Sequence, residues 1–190
     1  MEHVETAAGL GSAALDAGIS IGGVIAKVTP TDRHCSVTIT NKCSRYSLRD
    51  PRVHTQSGKC FDPLPPVIEA SSSGNGLFKK TPNTARGAVG VFTYDLYNNS
   101  SGQCVGRMAV MYKVPFNLNM KQNACALGVV DVSTECDKHL FRRMSKGTDQ
   151  DFSREKGKGP SLTHSGDFVT IRANMSDCYT PTIKIQVSEN

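Results

Sequence analysis

Gly87-Ala88-Val89-Gly90-Val91-Phe92-Thr93-Tyr94-Asp95-Leu96-Tyr97, then Asn98-Asn99-Ser100-Ser101-Gly102, then Gln103-Cys104-Val105-Gly106-Arg107-Met108-Ala109-Val110-Met111-Tyr112-Lys113-Val114, is the stretch that decides the fold. Two runs rich in Val, Phe, Tyr and Met flank a cluster of Asn, Ser and Gly, the residues that build hairpin turns. The runs are the longest strand candidates in the chain, and they pair as a hairpin. Working outward, Ala124 to Val132 reads as a third strand. Cys35 to Asn41 alternates Val37 and Ile39 with serine and threonine, as a half-buried strand does. Asp167 to Met175 and Thr182 to Ser188 alternate in the same way. Residues 50–83, rich in Pro, Gly, Ser and Lys, read as short strands joined by exposed loops. Residues 147–160 are charged and glycine-rich, and read as a loop.

One helix interrupts this series. Ser133 or Thr134 supplies an N-cap, with Asp137 three residues after Thr134 as in a capping box. Leu140, Phe141 and Met144 form its apolar stripe, and Gly147 ends it. A second helix precedes the sheet. From Val4 to Val28, Leu10, Ala14, Leu15, Ile19, Ile21, Val24, Ile25 and Val28 fall on one face at the helical repeat. Glu2, Glu5, Asp16 and Lys27, with Ser12 and Ser20 beside them, occupy a narrow arc opposite. Gly9, Gly11, Gly18, Gly22 and Gly23 interrupt the segment, each costing about 1 kcal/mol in a helix interior. It is therefore helical only when an apolar surface receives its face. The bland reading is a surface helix docked on the sheet. The sharper one is a helix that exchanges protein for lipid, with its polar arc lining a lumen in an oligomer. Pro30 closes it. The expected fold is mainly β: a β-sandwich flanked by two α-helices. Residues 1–30 form the amphipathic segment and residues 31–190 the sandwich, within a single domain.

Size and composition are those of a globular chain: 190 residues, 38% hydrophobic and 21% charged, with no stretch apolar enough for a constitutive transmembrane helix. The net charge of +5 is uneven, −2 over residues 1–30 and +7 over the remainder. A basic body favours anionic partners. The N-terminus has Glu2 and Glu5 where a secretory signal has its basic region. Seven cysteines are spread without a CxxC or zinc-ligand spacing, so no metal site is expected. The odd count leaves at least one free thiol or an interchain bridge, and a mostly reduced protein is the favoured reading. Five scattered histidines form no Ser/His/Asp, Cys/His or metal-binding arrangement, and no phosphate-binding glycine loop is present. No enzyme and no cofactor are expected.

At the strand pair, Ala85 to Tyr94 and Ala109 to Asn117 (ending Lys113-Val114-Pro115-Phe116-Asn117) resemble the actinoporins, pore-forming cytolysins of sea anemones. The resemblance is greater to the actinoporin-like proteins of fish and other animals. The glycine-studded N-terminal segment, Gln56-Ser57-Gly58 and the late helix from Cys136 to Met144 agree in order and spacing. No single motif is highly specific; the ordered set is. The resemblance implies a protein secreted as a soluble monomer that binds a target cell membrane through a phosphocholine pocket and aromatic loops. It then oligomerises and inserts its N-terminal helix to form a cation-conducting pore. Insertion would fall to Leu10, Leu15, Ile19, Ile21, Val24 and Ile25, and pore lining to Glu5, Ser12, Asp16, Ser20 and Lys27. The absence of a visible signal leaves cytoplasmic retention as the other reading of location.

Carried over by position, the head-group pocket comprises Ser57, Val89, Lys113, Pro115, Phe116, Lys121, Phe141, Ser145 and Lys146. Phe141 replaces a tyrosine of the family, Lys113 a serine, and Lys121, Ser145 and Lys146 tyrosines. A quaternary ammonium is held by aromatic faces, and three lysines repel it. The same lysines pair with phosphate, so the expected lipid is anionic rather than sphingomyelin. The chain has no tryptophan; Met120, Ala124 and Cys125 stand in the family's interfacial loop. The runner-up function is a non-lytic lipid- or glycan-binding module. Nucleic-acid binding rests on net charge alone and is not expected.

Overall fold

The structure, a computed structural model, describes residues 18–21, 24–27 and 31–190, the first two segments as backbone only. In chain order the strands are β1 (Gly18–Ile21), β2 (Val24–Lys27), β3 (His34–Asn41), β4 (Tyr46–Ser57), β5 (Lys59–Asp62), β6 (Val67–Ile68), β7 (Ser73–Lys79), β8 (Ala88–Asn98), β9 (Gln103–Val114) and β10 (Ala124–Val130). Helix α1 (Lys138–Ser145) follows, then β11 (Ser153–Lys156), β12 (Leu162–Ser165), β13 (Val169–Met175) and β14 (Thr182–Glu189). Two six-stranded sheets face each other, ordered β11-β10-β9-β8-β4-β6 and β12-β13-β14-β3-β7-β5. Pairing within both is antiparallel except where β14 runs parallel to β3. The fold is a β-sandwich, as expected.

Alternation fills the space between the sheets. Phe92, Tyr94 and Leu96 of β8, and Met108, Val110 and Tyr112 of β9, point inward against Val37, Ile39, Ile171, Ile183 and Ile185 of the opposite sheet. The Phe78 ring stacks on Tyr112 with centroids 4.5 Å apart. The intervening residues of β8 and β9 are also buried. Val91, Ala109, Met111 and Ala126 carry Leu140, Phe141 and Met144 of α1, together with Phe152. Strands covered on both faces read as continuous apolar runs, which is why this hairpin stands out in the sequence. Its turn behaves as its residues dictate: the Asn98 side chain accepts from the Ser100 N–H at 2.9 Å, and Gly102 adopts φ +70°.

An eight-residue helix is not stable alone. What holds α1 is burial of its three apolar side chains, each contributing about 1.5–3 kcal/mol. Its cap differs from expectation. Asp137 itself is the N-cap, accepting from the His139 and Leu140 N–H groups, and residues 133–134 belong to the preceding turn. The helix ends at Ser145, one residue before the C-cap Lys146.

Two further readings need correction. β4 extends through residues expected to lie in short strands and loops. It tolerates Pro51 because Asp50 takes φ 51° and the register with β8 shifts between Arg49 and Arg52, a bulge that spares proline a ladder hydrogen bond. β11 lies within the expected loop 147–160 and pairs with β10.

The N-terminal helix is the larger correction. β1 and β2 pair antiparallel, Ile19 opposite Ala26 and Ile21 opposite Val24, where a helix through Val28 was expected. Ile19, Ser20, Ile21, Val24, Ile25 and Lys27 are therefore strand residues in this state. β-Branched side chains favour strands, three glycines penalise a helix here, and Gly22-Gly23 is hairpin-turn sequence. Glu5, Leu10, Ser12, Leu15 and Asp16 lie outside the described residues. Among the described residues α1 is the single α-helix, and no helix is long and apolar enough to cross a membrane. All seven cysteines are free thiols.

Candidate functional site

Strand register assembles the site. Ser57 pairs with Val89, and Val89 with Lys113, so one row crosses β4, β8 and β9. Directly paired residues share a face. Here it is the face that carries α1 over Val91 and Met111, two residues farther along. Because α1 stops at Ser145, the Val89 and Lys113 row is left at the mouth of a cleft of about 710 Å³. Ser57, Val89, Lys113, Pro115, Phe116 and Lys121 line it together with Gln56, Arg86, Gly87, Met120 and Gln122.

Two backbone features shape the floor. The Ser57 hydroxyl donates to the Gly87 carbonyl at 2.9 Å. A Cβ on Gly87 would stand 1.8 Å from the Val114 carbonyl oxygen, so only glycine lets these strands approach so closely. Pro115 ends β9, and the following loop folds on Asn117. Its carbonyl accepts from the Lys121 N–H at 3.1 Å and its side chain from the Asn119 N–H at 2.9 Å. This turn presents Lys121 to the cleft and leaves Met120 79% exposed.

The electrostatics are one-sided. Arg86, Lys113 and Lys121 line the cleft, and among the described residues no Asp or Glu does. Lys113 is half-buried; its ammonium donates to the Ser145 hydroxyl at 2.5 Å and lies 5.7 Å from the centroid of the Phe141 ring. Burial lowers its pKa, and the charge on Lys121 lowers it further. Both effects disfavour the charged ammonium. The rings are already engaged: Phe116 faces the Arg33 guanidinium at 5.0 Å and the Lys80 ammonium at 5.5 Å, while Phe141 is buried beneath Lys113. A cage for a quaternary ammonium needs free aromatic faces. This cleft offers cations and amide side chains instead, the donors that suit phosphate or carboxylate.

Of the residues singled out from sequence, six therefore line one cleft, and Phe141 and Ser145 join it through Lys113. Lys146 does not. It caps α1 and lines a separate depression of about 270 Å³ with His139, Arg142, Arg143, Thr148 and Asp149. Sequence reasoning assigned no role to Arg86, Gln56 or Gln122. Arg86 had a signal, a cation immediately before the glycine that shapes the floor. Among the described residues no three His, Cys, Asp or Glu side chains are grouped to hold a metal ion.

Phe116 also ties the cleft to the start of the sandwich. The Arg33 Nε donates to its carbonyl at 2.7 Å, and the Arg33 guanidinium also lies 4.0 Å from the Tyr179 ring centroid. Residue 31, where the described sandwich begins, thus lies at the same end of the molecule as the cleft.

No family model matches the sequence. Bryoporin of Physcomitrium patens, an actinoporin-like protein, is 25% identical over 129 residues, covering 68% of this chain and 69% of bryoporin. Among solved structures, the lipid binding protein Nakanori superposes with a TM-score of 0.62 at 10% identity, over 82% of this chain and 70% of that one. The lectin XCL of Xerocomus chrysenteron gives a TM-score of 0.48 at 10% identity, over 82% of this chain and 97% of the lectin. The chain thus shares the β-sandwich fold of Nakanori and a weak sequence similarity to an actinoporin-like protein.

Proposed function

We propose that this protein binds membranes by taking an anionic lipid head group into the cleft between Ser57, Arg86, Lys113 and Lys121. The observation that carries the reading is the cleft's composition: three cations, no carboxylate among the described residues, and aromatic faces occupied by the protein's own cations. Similarity to bryoporin and a fold shared with a lipid binding protein support a membrane ligand. No feature of the cleft supplies a nucleophile with its base, so binding rather than catalysis is the proposed activity.

The finer reading is pore formation. The protein would act as a secreted monomer that assembles on the target membrane, with residues 31–190 as the binding domain and residues 1–30 as the part that inserts. Its support is that residue 31, where the described sandwich begins, lies at the same end of the sandwich as the cleft, through Lys80 and Phe116. Insertion as a helix requires the β1–β2 hairpin to be converted, and lipid is the apolar surface that makes the helix stable. The hairpin is also the observation that favours the second reading, a binder of lipid or glycan that never inserts.

Dye release from acidic and neutral vesicles separates them, with sedimentation scoring binding. The intact protein and a variant lacking residues 1–30 are compared, both checked by thermal melting. Release by the intact chain alone, while both bind acidic vesicles, is the expected result. Binding without release by either form contradicts pore formation and leaves the non-lytic binder.

A further inference from the structure

The last turn of α1 carries a second cationic cluster beside the cleft. Arg142 and Lys146 are exposed, and neither has a carboxylate partner among the described residues. Their neighbour Arg143 is different: it pairs with Asp149 at 2.9 Å and Asp151 at 3.3 Å. The helix fixes the position of the free pair. Ser145 is hydrogen-bonded to Lys113, Lys146 follows it, and Arg142 lies roughly 5 Å back along the helix axis. The Lys146 N–H closes the helix on the Arg142 carbonyl at 3.1 Å, so the two cations share a rigid turn. The turn is anchored from below by Met144 and Phe141, both buried against the sheet.

We propose that this turn is a second anchoring point, so that the protein docks on an acidic bilayer through two head groups at once. One is held in the cleft by Arg86, Lys113 and Lys121, and the other by Arg142 and Lys146. The inference rests on the head-group reading of the cleft. It also orients the molecule. β9 runs away from this end toward a different cleft, roughly 25 Å from Lys113 at its far side, where Asp131, Asp151 and Asp167 are mixed with Arg143 and His164. Two contacts at the cleft end therefore turn the other end of β9 away from the bilayer. Met120, exposed at the rim next to Lys121, is the apolar side chain that then meets the interface.

A bilayer, rather than a soluble polyanion, is the occupant because the apolar tip and both cationic clusters belong to one end of the molecule. The test is binding of the full chain to phosphatidylcholine vesicles containing rising fractions of phosphatidylserine. The parent is compared with Arg142→Gln/Lys146→Gln and with Lys113→Gln/Lys121→Gln, all at surface or cleft-mouth positions and checked by thermal melting. Two-point docking predicts that parent binding rises as about the square of the acidic-lipid fraction at low occupancy. Removing Arg142 and Lys146 weakens it about 30-fold and returns the dependence to first order. Unchanged binding of that variant overturns the second anchor alone. Unchanged binding of the Lys113/Lys121 variant overturns the cleft reading beneath it. Displacement of the parent from vesicles by duplex DNA at equal phosphate concentration overturns the bilayer as occupant.

Discussion

Lys113 shows how a single side chain changes the meaning of a cleft. Its ammonium sits over the Phe141 ring and against the Ser145 hydroxyl, filling space that a choline group would need. Burial and Lys121 destabilise its charge, so an arriving phosphate relieves a cost the folded protein already bears. Gly87 is the residue on which the geometry depends. Replacing it with alanine drives a methyl into the Val114 carbonyl and separates the ends of β8 and β9. We expect Gly87→Ala to lose about 3 kcal/mol of stability in urea unfolding and to weaken vesicle binding by the surviving folded fraction. Wild-type stability in this variant would show that the strands do not approach as closely as described. Much of the candidate cleft was legible at this scale through the family resemblance. Ser57, Val89, Lys113, Pro115, Phe116 and Lys121 were carried over by position, and they line one cleft. Lys146 was not separable from them, because a sequence does not show that α1 ends one residue earlier.

Elements were legible in proportion to their burial. β8, β9, β13 and β14 have residues alternating or continuous in apolar character, and their bounds differ from expectation by two residues or fewer. β4 and β11 escaped because their side chains are polar and their strand character comes from pairing with β8 and β10. The N-terminal segment misled for a different reason. Ile21, Val24, Ile25 and Val28 fit the helical repeat while Ile19-Ser20-Ile21 alternates as a strand does, and only the partner decides between them. Helix α1 has a specific dependence on Asp137, whose carboxylate accepts from His139 at 2.8 Å and Leu140 at 3.0 Å. Asp137→Ala should cost about 1 kcal/mol, with Asp137→Asn restoring most of it. Because α1 positions Ser145 and Lys146, the alanine variant should also bind acidic vesicles more weakly. A loss of stability with unchanged binding would separate the helix from the membrane contact.

Residues 31–190 form a sandwich with the candidate cleft at one end. Strand ends, the loop after Pro115, the last turn of α1 and residue 31 all meet there. Arg33 joins them, holding the Phe116 carbonyl within three residues of the point where the N-terminal segment joins the sandwich. The uneven charge of the sequence, −2 over residues 1–30 and +7 beyond, announces a basic body. The grouping of Arg86, Lys113 and Lys121 in a cleft with no carboxylate among the described residues appears only when the chain is folded. The central claim, recognition of anionic lipid by that cleft, is tested most directly by partitioning. The intact protein is mixed at physiological salt with vesicles of phosphatidylcholine and sphingomyelin, and separately with vesicles that also contain phosphatidylserine. Binding to the acidic vesicles that weakens as salt is raised is expected, with little to the neutral ones. Equal binding to both, or salt-insensitive preference for sphingomyelin, would contradict it.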